Sequence, residues 1–176
     1  MGIQIGAKPD SGFDDPLGML VDCHRRIEHF LQILSLVAGR ARGRALMDEE
    51  RAAVEASLQY FRVGGQRHNA DEEDSLFPRL RAASGGDTEQ IGSLENDHRR
   101  ADTWHATIAE LFRRWIVSGR LSTSDEERLI AVTTQLKELY EAHIRLEERV
   151  VFPRAAAALN PMALAAIGEE FRVRRS

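Results

Sequence analysis

Four histidines and two glutamates stand at spacings that could close on metal ions. His68, Glu72, Glu73, Phe77 and Pro78 recur as His143, Glu147, Glu148, Phe152 and Pro153, each offset by 75 residues. A second pair precedes them: His24-Arg25-Arg26 with Glu28, and His98-Arg99-Arg100 with Asp102, offset by 74. A His and a carboxylate four residues apart share one face of a helix, about one turn or ~6 Å along the axis. One helical hairpin is thus written twice, each copy carrying two such histidines.

A single His on an apolar face is ordinarily a satisfied core residue. Four of them, with two carboxylates in register, are a different matter, because an ionised Glu in a protein core is costly unless paired or bound to a cation. The set suits a volume for two cations, two histidines on each, with Glu72 and Glu147 bridging and oxo, hydroxo or water completing the shells. Imidazole and carboxylate without thiolate suit iron, manganese or zinc, and a His-rich, carboxylate-bridged site with open positions favours non-haem iron.

The elements that must position these residues are helices. Asp15-Pro16 reads as a helix start, after which Leu17, Leu20, Val21, His24, Ile27, Leu31 and Leu34 keep three- and four-residue steps to about Gly39. His29 is rotated outward. Asp48 can cap a second helix with the stripe Val54, Leu58, Phe61, Gly65, His68, Glu72, Leu76, Leu80. Gly64-Gly65 would let a neighbour approach closely, Pro78 should kink or end the helix, and Ser84-Gly85-Gly86 is a break. Asp87-Thr88-Glu89-Gln90 is a capping-box pattern for a third helix carrying Ile91, Leu94, His98, Ala101, Asp102, His105, Ile108 and Phe112, up to Ser118-Gly119. Ser124-Asp125-Glu126-Glu127 is a second such box, opening the stripe Leu129, Val132, Leu136, Leu139, His143, Leu146, Glu147, Val150. Asn160-Pro161 starts a shorter fifth helix to about Phe171, docking through Leu164, Ile167 and Phe171. No strand alternation competes. The pattern predicts an all-α fold, an antiparallel up-down-up-down four-helix bundle with a short C-terminal helix. Its expected organisation is a flexible lead-in over 1–13, the bundle over 14–158, and the last helix with its tail over 159–176.

Composition agrees. The 176 residues are 43% hydrophobic and 30% charged, with net charge -4 and both signs interspersed, which suits a soluble domain and gives no nucleic-acid surface. The arginines of residues 172–175 read as a solvated end. Cys23 is the sole cysteine, so neither an intrachain disulfide nor a Cys-based zinc or iron–sulfur site is expected. No apolar run approaches the ~20 residues that span a bilayer, and Met1 to Phe13 lacks the features of a secretory signal. A reducing cytoplasm is the default location.

The pattern His … His-x3-Glu-Glu-x3-Phe-Pro … His … His-x3-Glu-Glu-x3-Phe-Pro resembles the hemerythrin-like, or HHE cation-binding, domain over about residues 14–158. The resemblance implies a four-helix bundle around a non-haem di-iron centre, with His24, His68, His98 and His143 as nitrogen ligands and Glu72 and Glu147 as bridging carboxylates. This set is similar to the four-His, two-Glu branch that repairs bacterial iron centres. The oxygen carriers instead have a five-His site, with a His-x3-His on the third helix and an Asp five residues after the last His. Asp102 stands where that second His would be, and Glu148 occupies the Asp position. The cysteine-bearing amino-terminal module of the repair proteins has no counterpart in these residues, so neither reversible oxygen carriage nor thiol-assisted repair is the leading expectation.

The remaining polar residues have blander readings. Glu28 and Asp102 could be extra ligands, hydrogen-bond partners lining an access path, or surface charges; the last two are favoured. Glu73 and Glu148 lie 100° off the ligand face and are expected in solvent or paired with arginines. His105 is expected in ordinary core packing, with a supporting role at the site as the alternative, and Cys23 as buried filler. Tyr140 could border the site, and the Phe-Pro pairs would shape the helix ends below it. The function expected is a cytoplasmic di-iron protein that handles dioxygen, peroxide, nitric oxide or iron in stress defence. The alternatives are an iron- or oxygen-responsive module without turnover and reversible oxygen binding. The partner implied is a small diatomic or peroxide ligand, with no nucleic acid and no membrane; a protein partner or homodimer is not indicated.

Overall fold

The computed structural model describes residues 10–83 and 89–176. Helix α1 spans Pro16–Arg40, α2 residues 48–83, α3 Glu89–Ser118, α4 Thr123–Ala158 and α5 Pro161–Val173. There is no strand among the described residues. In the up-down-up-down bundle, α1 packs on α2 and α4, α3 packs on the same two helices, and α5 folds back at 120° to α4 against α1 and part of α2.

Local signals explain most helix ends. The Asp15 carboxylate accepts from the Gly18 N–H at 3.0 Å, with Pro16 opening α1. Asn160 accepts from the Ala163 N–H at 2.9 Å, with Pro161 opening α5. Gly119 ends α3 with φ +71°, a backbone conformation that side chains disfavour. Two expected caps shift. Asp48 is the first residue of α2, and the Glu50 side chain accepts from the Met47 N–H at 2.9 Å. Ser122 rather than Ser124 caps α4, accepting from the Asp125 N–H at 3.1 Å. The expected break at Ser84-Gly85-Gly86 and the cap at Asp87-Thr88 lie outside the described residues, as does most of the expected lead-in.

Helices α2 and α4 are not uniform. π turns interrupt α2 at Phe61–Gly65 and Asp71–Leu76, and α4 at Glu147–Val151. Two of them end two residues before Pro78 and Pro153. The expectation that Pro78 would kink or end α2 is corrected in its second half: the helix does not end there but runs on to Ala83. In an α turn the proline ring would crowd the carbonyl four residues back. Here the Phe77 and Phe152 N–H groups bond to the Glu72 and Glu147 carbonyls, five residues back, which widens the turn where each ring must fit.

The core is split in two. Ile27, Leu31, Leu34, Phe112, Trp115 and Leu136 belong to one apolar cluster, and Leu20, Leu76, Leu80, Leu94, Ile167 and Phe171 to the other. Between them, where an ordinary bundle would continue its leucines, lies a layer of histidine and glutamate.

A candidate dinuclear metal centre

All six residues singled out by spacing meet in that layer. His24, Glu72 and Glu147 are 0% exposed, His68 1%, His143 2% and His98 3%. Glu147 turns Oε2 to His24 Nε2 at 3.1 Å and Oε1 to His143 Nε2 at 3.2 Å. Glu72 turns Oε1 to His68 Nε2 at 3.5 Å and Oε2 to His98 Nε2 at 3.3 Å. Each carboxylate thus offers one oxygen to a histidine of each half. Two quartets result, His24, His68, Glu72, Glu147 and Glu72, His98, His143, Glu147, each with its donor atoms within 4.8 Å of one another.

The donors fit cations better than each other. Both oxygens of Glu72, both of Glu147 and His24 Nε2 are buried without a hydrogen-bond partner, although imidazole nitrogens stand 3.1–3.5 Å away. Unmet buried acceptors are costly. His98 Nε2 and His143 Nε2 are 3.2 Å apart. Two nitrogens held about 2.1 Å from one ion, at a right to tetrahedral angle, would be separated by about 3.0 to 3.4 Å.

Electrostatics carry the same message. Burial pushes the Glu72 carboxyl up to about 7, reinforced by the like charge of Glu147. Burial would raise Glu147 too, but His143 and then His24 hold it below the ordinary carboxylate range. Burial opposes charge on His143, yet Glu147 and Asp97 raise it to about 10. Against the same burial, Glu147 raises His24 and Glu72 raises His98. His68, buried and facing the charge of His24, is driven well below its ordinary value.

The outer face of the ring is where expectation and structure part. Glu73 Oε1 lies 2.7 Å from His98 Nδ1, and Glu148 Oε1 3.0 Å from His24 Nδ1. Glu148 also meets Arg25 at 3.2 Å, the one part of the arginine pairing that holds. A π turn takes more residues per revolution than an α turn, so successive side chains fan out less. Glu72 and Glu73, and likewise Glu147 and Glu148, therefore reach the same site from adjacent positions. The motif phenylalanines stack on the same imidazoles: Phe77 on His98 at 6.4 Å and Phe152 on His24 at 5.5 Å. Each hairpin thus supports a histidine of the other.

Other candidates fall outside the donor set. Asp102 accepts from Gln66 at 2.8 Å and, with Phe61 and His105, lines a groove of about 530 Å³ between α2 and α3. Glu28, exposed, lines one of about 300 Å³ between α1 and α4 with Leu31 and Tyr140. His105 Nε2 hydrogen-bonds the Tyr140 hydroxyl at 3.1 Å, and the Tyr140 ring lies edge-on to His143 at 6.3 Å. Burial lowers His105 to about 4, so it is neutral and can accept from that hydroxyl.

The C-terminal arginines are not a solvated end. Only Arg172 is largely exposed. Arg174 and Arg175 close on Asp71, which is 0% exposed, at 2.8 and 2.5 Å, and Arg174 also donates to Ser75 at 2.7 Å. These contacts fasten α5 to the π turn that carries Glu72. Asp71 was not singled out by the sequence; a lone acid beside an acidic run reads as surface.

A family model described as the hemerythrin HHE cation-binding domain matches residues 15–155. A protein of Haemophilus influenzae, described only as uncharacterized, is 26% identical over 167 residues, 93% of this chain and 91% of its own length. Two His/Glu quartets that share both carboxylates, inside an all-helical bundle, agree with that match. The chain belongs to the hemerythrin HHE cation-binding domain family.

Proposed function

We propose that this chain holds two non-haem iron ions and handles dioxygen, peroxide, nitric oxide or iron itself in defence against oxidative or nitrosative stress. The observation that carries the reading is the splitting of Glu72 and Glu147, each with one oxygen toward each quartet. In it, His24 and His68 would hold one ion, His98 and His143 the other, with both carboxylates bridging and oxo, hydroxo or water between the ions. The donor types also suit manganese and zinc; the His-rich, carboxylate-bridged arrangement with open positions favours iron.

Bound iron would supply reversible electron transfer to a small oxidant. The chain's own residues set the conditions. Glu72 and Glu147 offset the charge of the ions, and Glu73 and Glu148 fix the ring orientation of His98 and His24. Phe77 and Phe152 exclude water from the lower side. A buried lone thiol, Cys23, suits a reducing cytoplasm.

A second reading, a sensor without turnover, is favoured by the unmet buried donors, which tie the stability of the fold to occupancy. Reversible oxygen binding is a weaker third, since Asp102 lies at a groove rather than among the donors.

The test is metal stoichiometry of protein purified without chelator, with optical spectra before and after reduction. About two irons per chain, with bands that bleach on reduction, are expected. No bound metal after anaerobic ferrous loading would sink the reading. Repeated turnover with peroxide or nitric oxide would favour the enzyme; a metal-dependent stability shift with none would favour the sensor.

A further inference from the structure

The two halves of the centre match in their inner donors and differ behind them. His98 and His143 each have a carboxylate at the outer nitrogen: Glu73 Oε1 at 2.7 Å from His98 Nδ1, and Asp97 Oδ2 at 3.7 Å from His143 Nδ1. The second is an ion-pair contact just beyond hydrogen-bond length. On the other side, Glu148 Oε1 supports His24 Nδ1 at 3.0 Å, while the buried His68 Nδ1 has neither a hydrogen bond, which His143 Nδ1 also lacks, nor a carboxylate within ion-pair distance among the described residues.

The repeat explains the gap. The 74-residue offset that carries His24 to His98 carries Cys23 to Asp97 and Arg26 to Arg100. Arg100 pairs with Asp97 at 3.1 Å, and Arg26 points its guanidinium at Cys23 Sγ at 3.4 Å. The arginine is retained while the carboxylate is replaced by a thiol. One half therefore has two carboxylates behind its histidines, and the other has one, itself shared with Arg25. A carboxylate behind a ligating imidazole orients the ring and raises its basicity, and losing one typically costs about 10- to 100-fold in metal affinity.

We propose that the two sub-sites are inequivalent, the one closed by His98 and His143 binding its cation first and more tightly than the one closed by His24 and His68. This rests on the dinuclear reading above and adds an order of occupancy to it. At limiting metal the chain then carries a single ion, on the α3/α4 side.

Two-step binding alone would not test it, because repulsion between neighbouring cations splits even identical sites. The test isolates each half. His24→Ala leaves the His98/His143 sub-site and His98→Ala leaves the other; both metal-free full-length chains are titrated with cobalt(II) and followed by its visible absorption, with circular dichroism reporting the fold. The expected result is a dissociation constant about tenfold or more lower for His24→Ala than for His98→Ala. Adding Cys23→Asp to His98→Ala should tighten binding, and adding the near-isosteric Asp97→Asn to His24→Ala should weaken it. Equal affinities, or the reverse order, overturn the proposal while leaving a dinuclear site standing. Should either alanine variant fail to fold, wild type loaded with one cobalt equivalent answers instead. Imidazole NMR signals broadened by the ion should be those of His98 and His143, and equal broadening of all four overturns the proposal. Wild type that binds no cation removes the dinuclear reading itself.

Discussion

Glu73 reaches from α2 to place Oε1 2.7 Å from Nδ1 of His98 on α3. Its counterpart Glu148 does the same from α4 to His24 on α1, at 3.0 Å. The Glu-Glu pair of each motif therefore splits its work: the first carboxylate faces the centre, and the second turns an imidazole of the opposite hairpin so that Nε2 faces it too.

Glu73→Gln should weaken metal binding by about 10- to 100-fold, the cost of losing a carboxylate behind a ligating histidine. Helical content should stay unchanged, since Glu73 is itself half-buried on the outer side of the ring. Competition titration against a chelator of known affinity reads the change. An unchanged affinity would return Glu73 to the surface role its helical angle suggests.

The bundle and the six inner residues were legible because both rest on regular periods: the apolar stripes repeat every three or four residues, and His24, His68, His98 and His143 sit on them. What the regular period could not give was the second carboxylate of each pair. An angle of 100° per residue puts Glu73 and Glu148 off the face, and only the π turns bring them back. Those turns leave a trace in the sequence, a proline two residues beyond that does not end its helix. The Asp71 clasp left less: its arginines lie about a hundred residues away, with no period linking them.

Arg174→Ala/Arg175→Ala should destabilise the fold by about 3–5 kcal/mol, because it leaves the fully buried Asp71 carboxylate uncompensated. Asp71→Asn, which removes the charge itself, should cost clearly less. Urea unfolding of metal-free protein measures both. Equal costs would mean that the arginines act through packing of α5 rather than through charge.

Glu72→Gln/Glu147→Gln should separate the ion's contribution to stability from the rest. Without metal the variant loses the Glu147 pairing that raises His143 and His24, so it is expected to be no more stable than wild type. With free ion at about a thousand times the dissociation constant, wild type should gain about 4 kcal/mol and the variant nothing. Denaturant midpoints with and without cobalt(II) decide it; an equal gain in both would place the ion elsewhere.

Metal binding and metal-free stability should respond to pH with opposite signs. His143 is raised to about 10 in the metal-free chain, so its stabilising contribution is full below its unfolded value near 6.5 and is lost as pH rises through 10. A metal ion needs the bare nitrogen and must displace that proton, so affinity should rise with pH over the same window. At least one proton per chain should be released below pH 10, with His24 and His98, both raised above 6.5, and the Glu72 carboxyl, pushed up to about 7, bringing the number toward four below 6.5. His68 adds none at neutral pH, because burial and the charge of His24 already keep it unprotonated. Cobalt(II) titrations at several pH values, with proton release read in weak buffer, give the slope. An affinity independent of pH between 6.5 and 10 would mean that His143 is not displaced from Glu147 by the ion and is no ligand.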